Sequence, residues 1–201
     1  MNYLDLAIAE CAVRHLGQFR HDGVTPYALH PIRVVNLLIK AGVKDDTVLC
    51  AAALHDVVED TDMTLENIAD SYGSLLASVV GQLTRYEGMS RAAYIDSFET
   101  ACLQAQLVKM ADRIDNLLDS PKDPVSYAKE GMRLWGAIDR SQTAVPTEFH
   151  PAYEYLINLL YDQCEYPESR EPLPNPENKI AVTEGTAPSF MTVPEIPTES
   201  V

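Results

Sequence analysis

The helical spacing of apolar residues along most of the chain is the feature that most constrains its fold. Leu4, Ile8 and Cys11 recur at steps of three and four residues, and Ile32 and Val35 repeat the pattern further along. This period places apolar side chains on one face of an α-helix, whereas no alternating run of useful length indicates a strand. We therefore predict an all-α fold, a helical bundle.

Capping residues and turn residues divide this pattern into separate helices. Asp45, Thr64 and Ser90 are suitable N-caps, because their side chains can accept a hydrogen bond from a backbone N–H of the first turn. Beyond the two segments above, helices are predicted at about 46–58, 64–71, 73–86, 91–104, 105–119, 124–141 and 148–163.

The last part of the chain has a different composition. Residues 167–201 contain seven of the thirteen prolines and six glutamates against two basic residues, with almost no helical periodicity. Such a segment has too few apolar side chains to form a core. We predict one domain over residues 1–166 and an acidic, proline-rich, disordered tail over residues 167–201.

The charge of the chain argues against several classes of partner. Its 30 acidic and 15 basic residues give a formal net charge of −15, which repels nucleic acid and anionic membranes. The four cysteines form no closely spaced pair, which is typical of reduced thiols. The N-terminus lacks the basic residues of a signal peptide, and no apolar run approaches the ~18 residues of a membrane span. We expect a cytoplasmic protein that binds neither nucleic acid nor membrane.

One apolar segment, residues 51–61, presents four polar side chains within two helical turns: His55, Asp56, Glu59 and Asp60. Residues four apart share a helix face, so Glu59 is predicted one turn beyond His55, and Asp60 one turn beyond Asp56. Unpaired carboxylates are costly to bury, so a metal ion or a charged substrate is expected beside them. Taken alone, a His-Asp pair would indicate no more than an exposed helix end.

Two further segments carry compatible ligands. His30 stands at a predicted helix start, and Asp112 shares a predicted helix face with Asn116. Each of these polar groups alone is compatible with a hydrogen-bonded position in the core. Together with the His-Asp pair they supply two imidazoles and two carboxylates, a set suited to Mn²⁺, Fe²⁺, Zn²⁺ or Mg²⁺.

The order His30, His55-Asp56, Asp112 resembles that of the HD-domain metal-dependent phosphohydrolases. Over about residues 3–160 the chain is similar to the hydrolase domain of RelA/SpoT proteins and to the small alarmone hydrolases. This resemblance implies an all-helical HD-domain fold and removal of the 3′-pyrophosphate from guanosine tetra- and pentaphosphate, usually with Mn²⁺. The motifs that carry it lie at 18–31, 55–61, 64–73 and 109–116.

The resemblance also implies roles for individual residues. Glu59 and Asp60 would position and deprotonate the attacking water, and the helical spacing likewise separates these two acid/base groups from the ligands His55 and Asp56. A metal would lower the pKa of that water and polarise the scissile phosphate. The implied metal ligands are His30, His55, Asp56 and Asp112.

Most of the predicted substrate contacts lie early in the chain. Residues 11–44 hold five basic residues and one acid, a local balance of +4, so a phosphate-binding patch is expected there. By the resemblance, Arg20 lies next to the nucleotide base and Asn116 contacts the ribose. His21 stands where the family usually has lysine, which replaces a permanent charge by one that titrates near neutrality. The remaining candidates for substrate contact are Arg14 and Tyr27.

The leading prediction is a metal-dependent (p)ppGpp 3′-pyrophosphohydrolase of the stringent response, with a small nucleotide substrate. One alternative is a related phosphohydrolase that acts on an adenosine alarmone, NADPH or a nucleoside monophosphate. Another is a non-catalytic, antitoxin-like nucleotide-binding module. Glu59 and Asp60 argue against that module, because a pure binder needs no such pair beside a metal. The sequence is compatible with a homo-oligomer.

Overall fold

The computed structural model describes residues 2–119 and 123–165, which form ten α-helices and two short 3₁₀ helices. In this part of the chain there is no strand, only one isolated antiparallel bridge between Phe19 and Pro26. The predicted all-α fold is confirmed. The α-helices are α1 Tyr3–Arg14, α2 Leu29–Lys40, α3 Asp46–Leu54, α4 Val57–Asp60, α5 Leu65–Tyr72, α6 Ser74–Leu83, α7 Arg91–Asp96, α8 Leu103–Leu118, α9 Pro124–Asp139 and α10 His150–Glu165. The 3₁₀ helices are Ser97–Glu99 and Thr147–Phe149.

The three predicted N-caps begin helices as expected. Asp45, Thr64 and Ser90 each accept the backbone N–H three residues ahead, at 2.9, 3.2 and 3.1 Å. Each cap satisfies one of the N–H groups that the first turn of a helix leaves without a partner. Local sequence therefore determines where α3, α5 and α7 begin.

The predicted helix over residues 46–58 is interrupted at its most polar point. α3 ends at Leu54 and α4 begins at Val57, so His55 and Asp56 lie in the turn between them. There the His55 ring bonds the carbonyl oxygen of Ala52 at 2.8 Å, the oxygen that Asp56 N–H would use in a continuous helix. The prediction that the four polar residues share one helix is wrong, because His55 and Asp56 lie in this turn whereas Glu59 and Asp60 lie in α4.

α8 lies at the centre of the fold and carries several side chains of the candidate site. The helices α2, α3, α6, α9 and α10 all pack against it. Its apolar residues Leu107, Met110 and Ile114 are fully buried, as expected for a central helix. Lys109 and Asp112 of the same helix are buried as well. Their charges must therefore be compensated inside the protein.

Two glycines within α9 provide a matched test of packing. A Cβ on Gly131 would overlap the Sγ of Cys164, whereas a Cβ on Gly136 would meet only the flexible end of Arg140 at 3.3 Å. We expect Gly131→Ala to destabilise the protein, because overpacking costs about 1–3 kcal/mol and outweighs the gain in helix propensity. Gly136→Ala is expected to stabilise it by up to roughly 1 kcal/mol. Urea unfolding of both variants measures the difference, and equal effects would contradict the close approach at Gly131.

No helix within the described ranges combines the length and the apolar character that a membrane span requires. The described residues all belong to one compact unit. The predicted tail, residues 167–201, lies outside the described residues.

Candidate metal centre and cleft

Three parts of the fold bring the predicted metal ligands together. His30 is the second residue of α2, His55 and Asp56 lie in the turn between α3 and α4, and Asp112 lies in the middle of α8. Ligand atoms of His30, His55 and Asp112 all lie within 4.8 Å of one another. The Oδ2 atom of Asp56 is 3.0 Å from Nε2 of His55 and 3.7 Å from Nε2 of His30. All four residues therefore face one point.

His55 provides a direct test of whether this cluster fits a metal. Its Nδ1 pairs with the Ala52 carbonyl oxygen, so Nδ1 carries a proton and the lone pair of a neutral ring lies on Nε2. That Nε2 is buried and makes no hydrogen bond, although oxygens of Asp56 and Asp112 lie 3.0 and 3.7 Å away. A lone pair that faces two carboxylates is unfavourable, so this nitrogen needs either a proton or a metal ion between it and the carboxylate oxygens. The donor set of nitrogen and oxygen atoms suits a divalent metal.

The charges of the two carboxylates are evident in the pKa of His55. Burial alone would lower this pKa, but Asp56 and Asp112 outweigh burial and raise it well above its ordinary value. Burial would likewise raise the pKa of Asp112, but Lys109 and the two histidines hold it well below its ordinary value. The cluster is therefore strongly attractive to positive charge.

The two acidic ligands are fixed by hydrogen bonds from outside the cluster. Asp112 accepts from Nζ of Lys109 at 2.7 Å and from Nδ2 of Asn116 at 2.6 Å. Asp56 accepts from the Tyr27 hydroxyl at 2.7 Å. Because these donors bond the ionised carboxylates, they hold the oxygen atoms in place for a cation.

A cleft of about 220 Å³ opens beside the cluster. Five of its lining residues carry positive charge, and these are Arg20, Arg85, Arg91, Lys109 and Arg113. The others are Tyr27, His30, Asp56, Glu59, Tyr94, Ile95, Asp112, Asn116, Tyr127 and Glu130. The cleft thus joins the candidate ligands to a wall of cationic side chains.

Three predicted substrate residues meet in this cleft. Nη2 of Arg20 donates to Oδ1 of Asn116 at 2.7 Å, and its Nε donates to Asp119 at 2.8 Å. The guanidinium carbon of Arg20 lies 5.5 Å from the centre of the Tyr27 ring. Arg20, Tyr27 and Asn116 therefore form one connected group at the edge of the metal cluster.

Arg14 and His21 are not among the residues that line the cleft. Arg14 pairs instead with Glu10 at 2.7 Å and with Asp62 at 2.9 Å. His21 is an exposed residue of the turn after Arg20. The predicted basic patch in residues 11–44 contributes only Arg20 to the cleft, and the other cations come from residues 85–113. The local charge count missed these cations because acidic residues stand among them in the sequence.

Glu59 and Asp60 are both exposed but differ in their relation to the cleft. Glu59 lines it, and its Oε1 accepts the backbone N–H of Arg85 at 2.6 Å. Burial of part of the side chain is the main cause of the raised pKa of Glu59. Asp60 does not line the cleft, and its pKa is raised by burial and by the charge of Asp56.

The sequence analysis did not single out Asp115, which contacts Nδ1 of His30 at 2.7 Å. The sequence of α8 nevertheless contains a pattern that could have indicated Asp115. Four charged residues, Lys109, Asp112, Arg113 and Asp115, stand among buried apolar residues of that helix. Charges at buried helix positions require partners, so each of them indicates a polar contact inside the protein.

A family model described as an HD domain matches residues 7–141, about two thirds of the chain. The chain belongs to the HD-domain family. All four candidate ligands of this HD domain lie within the matched residues. The match ends two residues after α9, so α10 lies outside it.

Animal relatives of this HD domain carry a specific name. The chain is 36% identical over 126 residues to guanosine-3′,5′-bis(diphosphate) 3′-pyrophosphohydrolase MESH1 of Drosophila melanogaster, covering 59% of this chain and 70% of the relative. It is 37% identical over 121 residues to the human protein of the same name, covering 57% and 68%. A solved structure, described as a metazoan orthologue of SpoT that hydrolyses ppGpp, superposes with a TM-score of 0.67 at 26% identity. That superposition covers 81% of this chain and 96% of the other.

Proposed function

We propose that the chain is a metal-dependent phosphohydrolase that removes the 3′-pyrophosphate of guanosine alarmones, giving GDP or GTP. The observation that carries this proposal is the unpartnered Nε2 of His55, which faces two carboxylates beside a cationic cleft. The names of the animal relatives supply the substrate class. On this proposal residues 1–166 are the catalytic domain, and the protein acts in the cytoplasm as a monomer or homo-oligomer.

The metal proposed for the cluster is Mn²⁺, and its proposed ligands are His30, His55, Asp56 and Asp112. When bound there, such an ion would polarise the scissile phosphate and lower the pKa of a nearby water. The protein's own part is to hold four ligand side chains in place, with Lys109 and Asn116 bonded to the carboxylate of Asp112. Their hydrogen bonds keep that carboxylate ionised and oriented.

Glu59 is the proposed proton acceptor. In the reaction, the oxygen of water bonds to the phosphorus attached to the 3′ oxygen, and the bond between that phosphorus and the 3′ oxygen breaks. Glu59 would take the proton that the water loses, since its carboxylate lines the cleft and is oriented by the N–H of Arg85. Asp60 would position the same water. The released 3′ oxygen takes up a proton and becomes a hydroxyl group.

The cationic wall of the cleft supports a substrate with several phosphates. Arg91 and Arg113 share the carboxylate of Glu130, each at 3.2 Å. Arg113 lines the cleft, so its guanidinium group is placed to meet a phosphate there. Arg20 and Tyr27 would contact the base, and Asn116 the ribose. Arg14 and His21 remain weaker candidates, since neither lines the cleft.

The proposal is tested by comparing nucleotide substrates in the presence of Mn²⁺. Turnover of ppGpp, pppGpp, pppApp and NADPH would be measured side by side, with released pyrophosphate and phosphate quantified separately. We expect pyrophosphate from the guanosine substrates. Phosphate from NADPH, or activity confined to adenosine substrates, would assign the chain to a sibling activity. Tight binding without turnover would instead indicate a non-catalytic nucleotide-binding module.

Removal of residues 168–201 is expected to leave the hydrolysis of ppGpp unchanged. All proposed ligands and cleft residues precede this segment in the chain. The kcat and KM of the truncated and full chains would be compared at the same Mn²⁺ concentration. Loss of activity on truncation would contradict the assignment of catalysis to residues 1–166.

A further inference from the structure

His30 is held between two carboxylates on opposite edges of its ring. Its Nε2 lies 3.1 Å from Oδ1 of Asp112, inside the ligand cluster, and its Nδ1 lies 2.7 Å from Oδ2 of Asp115, outside it. The ring is almost completely buried, so no water competes for either nitrogen. Because a carboxylate only accepts, the contact with Asp115 places a proton on Nδ1. By the same reasoning Nε2 shares a proton with Asp112 in this structure, and a metal ion bound at Nε2 would take the place of that proton while Nδ1–H continues to donate to Asp115.

Asp115 is in turn locked by an arginine. Nε of Arg33 donates to Oδ1 of Asp115 at 2.8 Å, and Nη2 donates to Oδ2 at 2.9 Å. This two-point contact fixes the plane of the carboxylate, which a single lysine ammonium cannot do. Both oxygens of Asp115 are therefore occupied on the far side of His30, and neither is available as a metal ligand.

A second acid holds the arginine in this position. Nη2 of Arg33 also lies 3.1 Å from Oδ2 of Asp119, the residue that directly follows α8. From its place on α2 the arginine thus bridges one carboxylate of α8 and one at the C-terminal end of that helix. His30 belongs to the same helix as Arg33, so the bridge ties the orientation of a candidate ligand to the packing of α2 on α8.

At His55 the corresponding contact with Nδ1 is made by an uncharged group. Its Nδ1 bonds the neutral carbonyl oxygen of Ala52, which orients the ring in the same sense. A carboxylate at this position does more, because it also makes the opposite nitrogen a stronger electron donor. The two histidines therefore differ in basicity as ligands, and His30 is the stronger one.

We propose that Asp115 and Arg33 are positioning residues, which raise the affinity of the site for a divalent metal by fixing the orientation and tautomer of His30. This inference rests on the proposed function only in assigning His30 to the metal. It adds two residues, Asp115 on α8 and Arg33 on α2, that neither belong to the ligand cluster nor line the cleft.

The test is the affinity of the full chain for Mn²⁺, measured by calorimetry and by the electron paramagnetic resonance signal of free Mn²⁺. Asp115→Asn keeps the size of the side chain but removes its charge and one acceptor for Arg33. We expect the Kd for Mn²⁺ to rise about 10- to 100-fold, the usual effect of losing a partner of a metal-bound histidine. Hydrolysis of ppGpp by this variant is expected to recover at saturating Mn²⁺, which a general loss of structure would not allow.

Asp96→Asn is the matched control. Asp96 also makes a two-point ion pair with an arginine, Arg133, but this pair is exposed and does not line the cleft. We expect its Kd for Mn²⁺ to equal that of the wild type. If Asp115→Asn does not fold, Arg33→Lys is the deciding variant, because lysine keeps the positive charge but cannot make the two-point contact with Asp115. We expect Arg33→Lys to weaken Mn²⁺ binding by a smaller factor than Asp115→Asn.

The outcomes separate this inference from the proposed function. A folded Asp115→Asn variant with unchanged Mn²⁺ affinity overturns the inference and leaves the proposed metal site intact. Unchanged affinity in Arg33→Lys removes Arg33 from it. A wild-type chain that does not bind Mn²⁺ or another divalent ion contradicts the proposed function, and the inference with it.

Discussion

Replacement of Asp56 by alanine is expected to abolish metal binding and hydrolysis together. Asp56 is the ligand candidate whose oxygen lies nearest to Nε2 of His55, at 3.0 Å, and it is 19% exposed. Loss of Asp56 leaves no buried charge without a partner. Loss of Asp112, in contrast, would leave the buried ammonium group of Lys109 without its carboxylate partner. Loss of a residue that only orients a metal ligand lowers metal affinity by up to about 100-fold. We expect Asp56→Ala to lower the affinity for Mn²⁺ by more than this, because it removes a ligand itself.

Calorimetry with Mn²⁺ and a parallel assay of ppGpp hydrolysis would measure both effects on one preparation. Asp62→Ala is the matched control, because it removes an exposed acid of the same segment that pairs with Arg14 outside the cleft. That control is expected to keep wild-type metal affinity and turnover. Retention of tight Mn²⁺ binding by Asp56→Ala would contradict the assignment of Asp56 as a ligand.

Glu59→Gln is expected to separate catalysis from metal binding. The amide cannot accept a proton from water, and a positioned general base contributes about 10²- to 10⁴-fold to a rate. We therefore expect kcat for ppGpp to fall by that factor while the Kd for Mn²⁺ stays unchanged. The amide oxygen of glutamine can still accept the backbone N–H of Arg85, so the side chain keeps its position.

Asp60→Asn is the informative comparison for Glu59→Gln. Both changes remove one carboxylate charge from adjacent residues of α4, but only Glu59 lines the cleft. We expect the larger loss of kcat from Glu59→Gln. Equal turnover of wild type and Glu59→Gln would remove Glu59 from the proton transfer, and a larger loss from Asp60→Asn would assign that role to Asp60.

The candidate ligands could be picked out because each of them carries a strong local signal in the sequence. His30 stands at a helix start, and the pair His55-Asp56 stands in an apolar segment, so each is conspicuous in the sequence alone. Their convergence with Asp112 follows from the packing of α2 and α3 on α8. The sequence predicted the helices but not the turn after Leu54, because a hydrogen bond from the His55 side chain to the backbone competes with helix continuation there.

The cationic wall and the positioning pair could not be predicted by the same reasoning. Arg85 and Arg113 are 28 positions apart in the chain and meet in the cleft only through tertiary packing. The sequence analysis included Arg33 in a basic patch, but in the fold Arg33 forms ion pairs with Asp115 and Asp119. The net charge of a sequence segment therefore predicts the charge of the surface it forms only where its charged side chains do not pair with residues of other helices.

The pairing of cations with carboxylates inside the cleft has a consequence for selectivity among anions. Glu130 pairs with both Arg91 and Arg113, and Asp112 pairs with Lys109. An anion that binds one of these three cations competes with the carboxylate already in place, so a single phosphate gains little there. A ligand with several linked phosphates makes such exchanges at once, with the later ones favoured by proximity. We therefore expect the cleft to favour anions with several linked phosphate groups over inorganic phosphate.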